Sequence, residues 1–153
     1  MLTLVPSYIQ LRRILVPIDF SRASMKALHY AIPFARQFGA ELHLVHVVEP
    51  FLYPVDAEMT PLVSDNRRFL QAVERKLEKI ATKVRRLGLA TRAHIKTGRA
   101  FRQITQAAKS LKADMIILTT HGYTGLDHFL LGSTAERVIR YAPCPVLSIR
   151  RQD

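Results

Sequence analysis

Residues 119–136 combine glycines, hydroxyls and a helix start at a spacing that suits the binding of an anion. Gly122, Gly125 and Gly132 carry no Cβ, so the backbone there can turn sharply and come close to a ligand. An apolar run at 115–118, which is typical of a buried strand, comes directly before this stretch. We therefore expect a loop at the end of a strand that is open to a bound molecule.

The same stretch ends in a predicted helix from Ser133 to about Tyr141. Ser133 and Glu136 match a capping box, in which Ser133 accepts from the amide of Glu136 and the Glu136 carboxylate reaches back to the amide of Ser133. Free amides and the positive end of the helix dipole favour an anion at such a start, most naturally a phosphate. These features together predict a cradle for a nucleotide.

The other elements of the chain must position this cradle. Apolar runs and alternation predict strands over about 14–18, 41–48, 91–96, 113–118 and 145–150. Periodic apolar residues and caps predict helices over about 21–38, 62–87, 98–111 and 133–141, with a loop over 50–61. Since strands and helices alternate throughout, we expect one α/β domain with a parallel sheet covered by helices on both faces.

The chain resembles the universal stress protein family in its ATP-binding subclass, whose signature is G-x2-G-x9-G-[S/T]. Here that register places Thr119, Gly122, Gly132 and Ser133, so the spacing is kept and a threonine stands at the first glycine position. The resemblance also covers the stretches 14–21, 44–47, 113–117 and 144–147.

This resemblance implies a doubly wound, Rossmann-like five-stranded sheet in the order 3-2-1-4-5. It implies a single domain over 13–153, preceded by a short extension, 1–12. In such sheets ligands bind beyond the carboxyl ends of the strands where the order reverses, here between strands 1 and 4. Asp19 and the glycine loop would meet at that crevice.

The resemblance also implies an ATP site, with Mg²⁺ as an optional companion. At its phosphate end it implies Gly122, Tyr123, Gly125, Gly132, Ser133 and Thr134. Toward the adenosine it implies Asp19 as an acceptor and the main chain of Val47 at the adenine edge, with Pro17, Thr119 and His121 lining the pocket. Taken alone, the residues support only the phosphate end and the place of Asp19, and turns and helix caps would explain each of them individually.

The composition is that of a soluble globular protein, with 153 residues, 48% hydrophobic and 23% charged. The single cysteine, Cys144, excludes an internal disulfide and is expected to be a small buried apolar residue. The sequence shows no secretory signal and no run of apolar residues long enough to span a membrane, so we expect a cytoplasmic protein.

The net charge of +11 is concentrated in one segment, Arg67–Arg102. There the basic residues at 67, 68, 75, 76, 79, 83, 85, 86, 92, 96, 99 and 102 are opposed by Glu74 and Glu78. Such a local surface can attract a polyanion, although a solvated helix face is the simpler explanation.

No catalytic set and no metal-ligand spacing can be identified. His43 and His46 point to opposite faces of a strand, so we expect both to be structural. A Walker loop and its lysine are absent, so any ATP hydrolysis should be slow. The sequence favours a non-enzymatic, ATP-dependent regulatory module that dimerises through its last strand. The alternative, favoured by Thr119, is a dimeric interaction module without nucleotide, acting through its basic face.

Overall fold

Five parallel strands form one sheet in the order β3-β2-β1-β4-β5, which confirms the predicted fold class and strand order. The computed structural model describes residues 9–49, 63–120 and 132–150. Its elements are β1 (Arg13–Pro17), α1 (Arg22–Phe38), β2 (Glu41–Val48), α2 (Val63–Arg85), β3 (Thr91–Thr97), α3 (Ala100–Ser110), β4 (Met115–Thr119), α4 (Ser133–Tyr141) and β5 (Val146–Ile149).

The central strands are buried on both faces, which explains their continuous apolar sequence. In β1, Ile14 and Val16 belong to one half of the core and Leu15 to the other. This alternation follows from the period of two along a strand. Parallel sheets need helices on both faces because neither face can be left to water.

The helices divide into two layers. Helices α1 and α2 cover one face, where Leu28 and Leu77 are nearly inaccessible to solvent. Helices α3 and α4 cover the other face through Ala107, Ala108 and Val138. None of the helices in the described ranges is long and apolar enough to cross a membrane.

A carboxylate joins the two strands at the centre of the sheet. Asp114 lies just before β4, and its Oδ2 accepts from the backbone amides of Arg12 and Arg13, at 2.8 Å each. The neighbouring Leu11 is buried in the core. The start of β1 is therefore held against the start of β4, which fixes the register at the point where the strand order reverses.

A histidine pair packs across the edge of the sheet. His43 of β2 is buried, and its Nδ1 lies 3.0 Å from Nε2 of His94 on β3, with the rings stacked 5.2 Å apart. Glu41 Oε2 is 3.3 Å from Nε2 of His43, but the two atoms are misaligned and Nε2 has no hydrogen-bond partner among the described residues. His43 is buried in the sheet and paired with His94, a partner that was not foreseen.

The surroundings of this pair oppose protonation. Burial lowers the pKa of His43, and the charges of Arg92 and Arg13 lower it further, whereas Glu41 acts in the opposite direction. Burial likewise lowers the pKa of His94, with His43, Lys96 and Arg92 adding to the effect and Glu41 opposing it. Both rings are therefore neutral in the folded protein at neutral pH.

Stability should fall as the pH is lowered through the histidine range. Because the folded state depresses the pKa of His43 and His94, the unfolded chain binds more protons below about pH 6.5, and the free energy of unfolding decreases there. Urea midpoints measured between about pH 7.5 and about pH 5.5 should show this loss.

The substitution His43→Leu should reduce that slope, while His29→Leu, at an exposed position of α1, should leave it unchanged. Equal slopes for wild type and His43→Leu would show that the pair does not control acid sensitivity.

Candidate functional site

A cavity of about 430 Å³ opens at the carboxyl ends of β1 and β4, where the strand order reverses. Its walls come from the ends of β1, β2 and β4 and from the first turns of α3 and α4. Clefts of this size accept small-molecule ligands, and this position is the one that open α/β sheets use for binding.

Asp19 lies in the wall of the cavity at the end of β1, in a tight turn that leads into α1. Its Oδ1 accepts from the backbone amide of Ser21 at 2.9 Å and from the Ser21 hydroxyl at 2.5 Å. The Ser21 hydroxyl in turn accepts from the amide of Ser24 at 3.1 Å, which makes Ser21 the N-cap of α1 as predicted. Phe20, between Asp19 and Ser21, adopts a φ of 64°, which is rare for a residue of this size.

These hydrogen bonds set the charge of Asp19. Burial alone would raise the pKa of this carboxyl, but the two hydrogen bonds from Ser21, with smaller contributions from the nearby Ser24 hydroxyl and the Asp19 backbone, outweigh burial and hold the pKa below its ordinary value. Asp19 is therefore ionised at neutral pH. It presents a fixed acceptor to the cavity.

His46 supports the same turn. Its Nδ1 donates to the carbonyl oxygen of Ile18 at 2.6 Å, since a carbonyl can only accept, and its ring packs 4.5 Å from that of Phe20. The amide of Ile18 donates to the carbonyl of Val45 at 2.8 Å. The end of β1 is thus held to β2 on both sides of Asp19.

The opposite wall is formed where β4 leads into α4. Thr119 is half-buried at the end of β4, and the amide of Gly132 donates to the carbonyl of Thr120 at 2.7 Å. This bond brings the start of α4 against the end of the strand. Gly132 has a φ of −55°, so its backbone does not itself require glycine.

The predicted capping box between Ser133 and Glu136 is wrong. The N-cap of α4 is Gly132, whose carbonyl accepts from the amide of Glu136 at 3.0 Å, and no side chain caps the helix. Because the N-cap lies one residue earlier than predicted, Ser133 is the first residue of the helix instead of its cap. The Glu136 carboxylate instead pairs with Arg140, at 3.2 Å.

With Gly132 as its cap, the start of α4 leaves more hydrogen-bond donors free at the cavity. The amides of Ser133, Thr134 and Ala135 have no partner among the described residues, as expected in the first turn of a helix. The hydroxyls of Ser133 and Thr134 are exposed and line the cavity. Donors and the positive end of the helix dipole therefore converge where an anion would bind.

A second helix start reaches the same cavity. Glu49, just after β2, accepts from the amide of Ala100 with its Oε1 at 2.6 Å, so its side chain caps α3 from another element. The carbonyl of Val48 accepts from the amide of Gly98 at 3.0 Å. These two bonds hold α3 against the end of β2, beside the lining residue Val47.

The structure brings together the predicted site residues that fall in its described part. The cavity is lined by Pro17, Asp19, Val47, Thr119, Gly132, Ser133 and Thr134. The remaining predicted residues, His121, Gly122, Tyr123 and Gly125, lie outside the described residues.

Several lining residues were not foreseen. Ser24, His46, Glu49, Ala100 and Ile104 also face the cavity. The place of Glu49 directly after a strand was a signal that it would lie at the carboxyl edge. The role of Ala100 depends on a bond between residues 51 positions apart, which no local pattern announces.

The described residues offer neither a metal-ligand cluster nor an activated thiol. Within the described ranges, no three histidine, cysteine or carboxylate side chains are grouped so as to hold a metal ion. Cys144 is half-buried against the second layer, where burial and then Asp114 raise the pKa of its thiol.

Comparison with known proteins points to one family. The profile of the Universal stress protein family matches residues 10–150. Universal stress protein MJ0531 of Methanocaldococcus jannaschii is 33% identical over 142 residues, which cover 92% of this chain and 82% of that protein. The solved structure of the hypothetical protein MJ0577 superposes with a TM-score of 0.80 at 27% identity, covering 95% and 99% of the two chains.

A further fold relative is an Arabidopsis thaliana protein of the same family, solved with AMP bound. It has a TM-score of 0.66 at 21% identity and covers 92% of each chain. At that identity the likeness concerns the fold alone.

Loss of the Ser21 hydroxyl should affect both stability and charge at the site. Ser21→Ala removes the cap of α1 and a donor to Asp19, so urea unfolding should show a loss of about 1 kcal/mol. The pKa of Asp19, followed by NMR, should rise.

Ser110→Ala is the matched control. Ser110 is exposed, and among the described residues its hydroxyl donates to the carbonyl of Ala107, at 3.2 Å in the last turn of α3. A Ser21→Ala protein with wild-type stability and an unchanged Asp19 would contradict this account of the turn.

Proposed function

Since this chain belongs to the universal stress protein family, we propose that it binds ATP in the crevice between β1 and β4. In this proposal the bound nucleotide sets the state of a dimeric, stress-related regulatory module. The observation that carries the proposal is the convergence of free donors at the start of α4 opposite an ionised Asp19, in one cavity of nucleotide size.

The phosphate end of the site would be the first turn of α4. Amides of Ser133 and Thr134 and their hydroxyls offer donors, and the helix dipole favours negative charge there. The proposed loop residues, Gly122, Tyr123 and Gly125, would add backbone amides.

The adenosine end would lie at β1 and β2. Asp19 would accept from ribose hydroxyls, since its carboxylate is ionised and lines the cavity while Ser21 holds its Oδ1 in place. The main chain of Val47 would meet the adenine edge, and Pro17 and His121 would line the pocket. AMP bound to the Arabidopsis relative supports an adenine nucleotide as the ligand class.

We propose a binding role without catalysis. No lysine lines the cavity among the described residues, and phosphoryl transfer commonly needs one together with Mg²⁺ and a positioned water. If Mg²⁺ accompanies the nucleotide, the hydroxyls of Ser133 and Thr134 are the nearest ligands on α4.

Calorimetry with ATP tests the proposal. Gly132→Val places a side chain in the cavity wall at a backbone conformation valine can adopt, so the fold should survive while ATP affinity falls at least about tenfold. Thr119→Gly restores the family glycine and should leave ATP affinity equal or raise it.

Ala72→Val, at an exposed position of α2, serves as the control for an added β-branched side chain. Undetectable ATP binding to both wild type and Thr119→Gly would refute the nucleotide proposal.

We also propose that two copies pair through β5. This strand is at the edge of the sheet, and Ile116 and Thr120 donate to Pro145 and Ile149 on its inner side, at 3.0 and 3.3 Å. The alternation of a strand then turns the amide of Ser148 outward. An open edge of this kind is a template for pairing.

Substitution at Ser148 should separate dimerisation from folding. Ser148→Pro removes an outward donor and keeps the bonds to β4, so light scattering should show a dimer for wild type and a monomer for the variant. Ser148→Ala, which keeps the amide, should remain dimeric. A monomeric wild type at micromolar concentration would contradict the proposal.

The alternative function is a nucleotide-free interaction module acting through the basic segment Arg67–Arg102. The observation that favours it is a row of basic side chains on α2. Arg75, Lys79 and Lys83 are four residues apart, are exposed and line a shallow groove. Glu74 and Glu78 lie in the same groove and weaken its charge. A polyanion would be the partner. This alternative stands if the calorimetry detects no binding of ATP.

A further inference from the structure

A second, smaller cavity adjoins the first at the start of α4. It measures about 230 Å³ and is lined by Glu49, Arg99, Phe101, Ser133, Thr134 and Arg137. Glu49, Ser133 and Thr134 line both cavities, so the two spaces are contiguous along the first turn of this helix.

The two arginines of this cavity come from different elements, because Arg99 is the N-cap residue of α3 and Arg137 lies on α4. Arg137 lies one turn after Ser133 on α4, and its Cζ is 5.1 Å from the centre of the Phe101 ring. Phe101 also packs against Tyr141, with ring centres 6.2 Å apart. These contacts place the Arg137 guanidinium over an aromatic face on the cavity wall, where a cation is favourably held.

Neither arginine is neutralised by an acid. In the described part of the chain, Arg85, Arg92 and Arg140 each pair with a glutamate, whereas Arg99 and Arg137 form no ion pair. The one carboxylate in the cavity, Glu49, commits its Oε1 to the amide of Ala100. Two guanidinium groups therefore face one carboxylate, beside a helix start that already favours anions.

We propose that this second cavity receives the terminal phosphates of a nucleoside triphosphate, and that Arg99 and Arg137 select triphosphate over monophosphate. The inference rests on the proposed function, because the adenosine must occupy the first cavity. From there a phosphate chain that passes Ser133 and Thr134 reaches the second cavity directly. A monophosphate ends at these hydroxyls, so it gains nothing from the arginines.

Arginine suits this task because it stays charged and presents several donors to phosphate oxygens. The Glu49 carboxylate repels anions, so the cavity attracts short or singly charged anions only weakly. A triphosphate chain carries enough charge to engage both arginines despite that carboxylate.

Calorimetry of the full chain with ATP, ADP and AMP tests the inference, with a non-hydrolysable ATP analogue run in parallel. Wild type should bind ATP at least about tenfold more tightly than AMP, since hydrogen bonds to charged groups are the strong ones. Arg137→Gln and Arg99→Gln should each weaken ATP binding several-fold, leave AMP unchanged, and together abolish the preference.

Arg140→Gln is the matched control. This substitution removes the same charge from α4. Because Arg140 pairs with Glu136 and does not line either cavity, the affinities for ATP and AMP should both stay at the wild-type value.

The outcomes separate the inference from the proposed function. Equal affinity of wild type for ATP and AMP would overturn the inference and leave nucleotide binding intact, and that comparison needs no variant to fold. Parallel losses of ATP and AMP affinity in the arginine variants, or no loss of ATP affinity, would also overturn it. Absence of any nucleotide binding would refute the proposed function and the inference with it.

Discussion

The parallel pairing of β1 with β4 is the constraint on which the rest of the structure depends. Asp114 holds the start of β1 against β4 by accepting hydrogen bonds from two backbone amides. The pairing of Ile14 with Met115 and of Leu15 with Ile116 follows. Beyond this pairing the two strands feed helices on opposite faces of the sheet. Because the chain leaves β1 and β4 toward opposite faces, a crevice remains between the carboxyl ends of these two strands as a consequence of the topology.

The charges around the crevice give it a direction. At one end, hydrogen bonds from Ser21 keep Asp19 ionised, which favours hydroxyl and amine donors. At the other end, α3 and α4 both begin, and their free amides favour anions. A ligand with hydroxyls at one end and phosphates at the other fits this polarity in one orientation. Glu49 already caps α3, so α4 presents the more open of the two helix starts.

Periodicity and strand-end chemistry were enough to predict a parallel sheet, its helices and the place of Asp19 at a strand end, because these depend on local patterns, whereas the strand order came from the family resemblance. Features set by contacts between distant elements were not predictable. Gly132 is the N-cap of α4 and its amide donates to Thr120, so the cap lies one residue before the predicted one and the expected capping box is absent. The roles of Glu49 and His94 depend on partners 51 residues away in each case. Phe20 in a left-handed conformation has no local signature either.

The arrangement separates what builds the crevice from what would tune it. Ala107 of α3 and Val138 of α4 are buried in the same half of the core and cannot change without loss of packing. Arg99 and Arg137 are exposed at the ends and outer surfaces of the same helices, so their replacement leaves the core untouched. In the proposed complex, phosphate preference would therefore change through surface arginines alone, while the strand ends and the helix start would still hold the nucleotide in place.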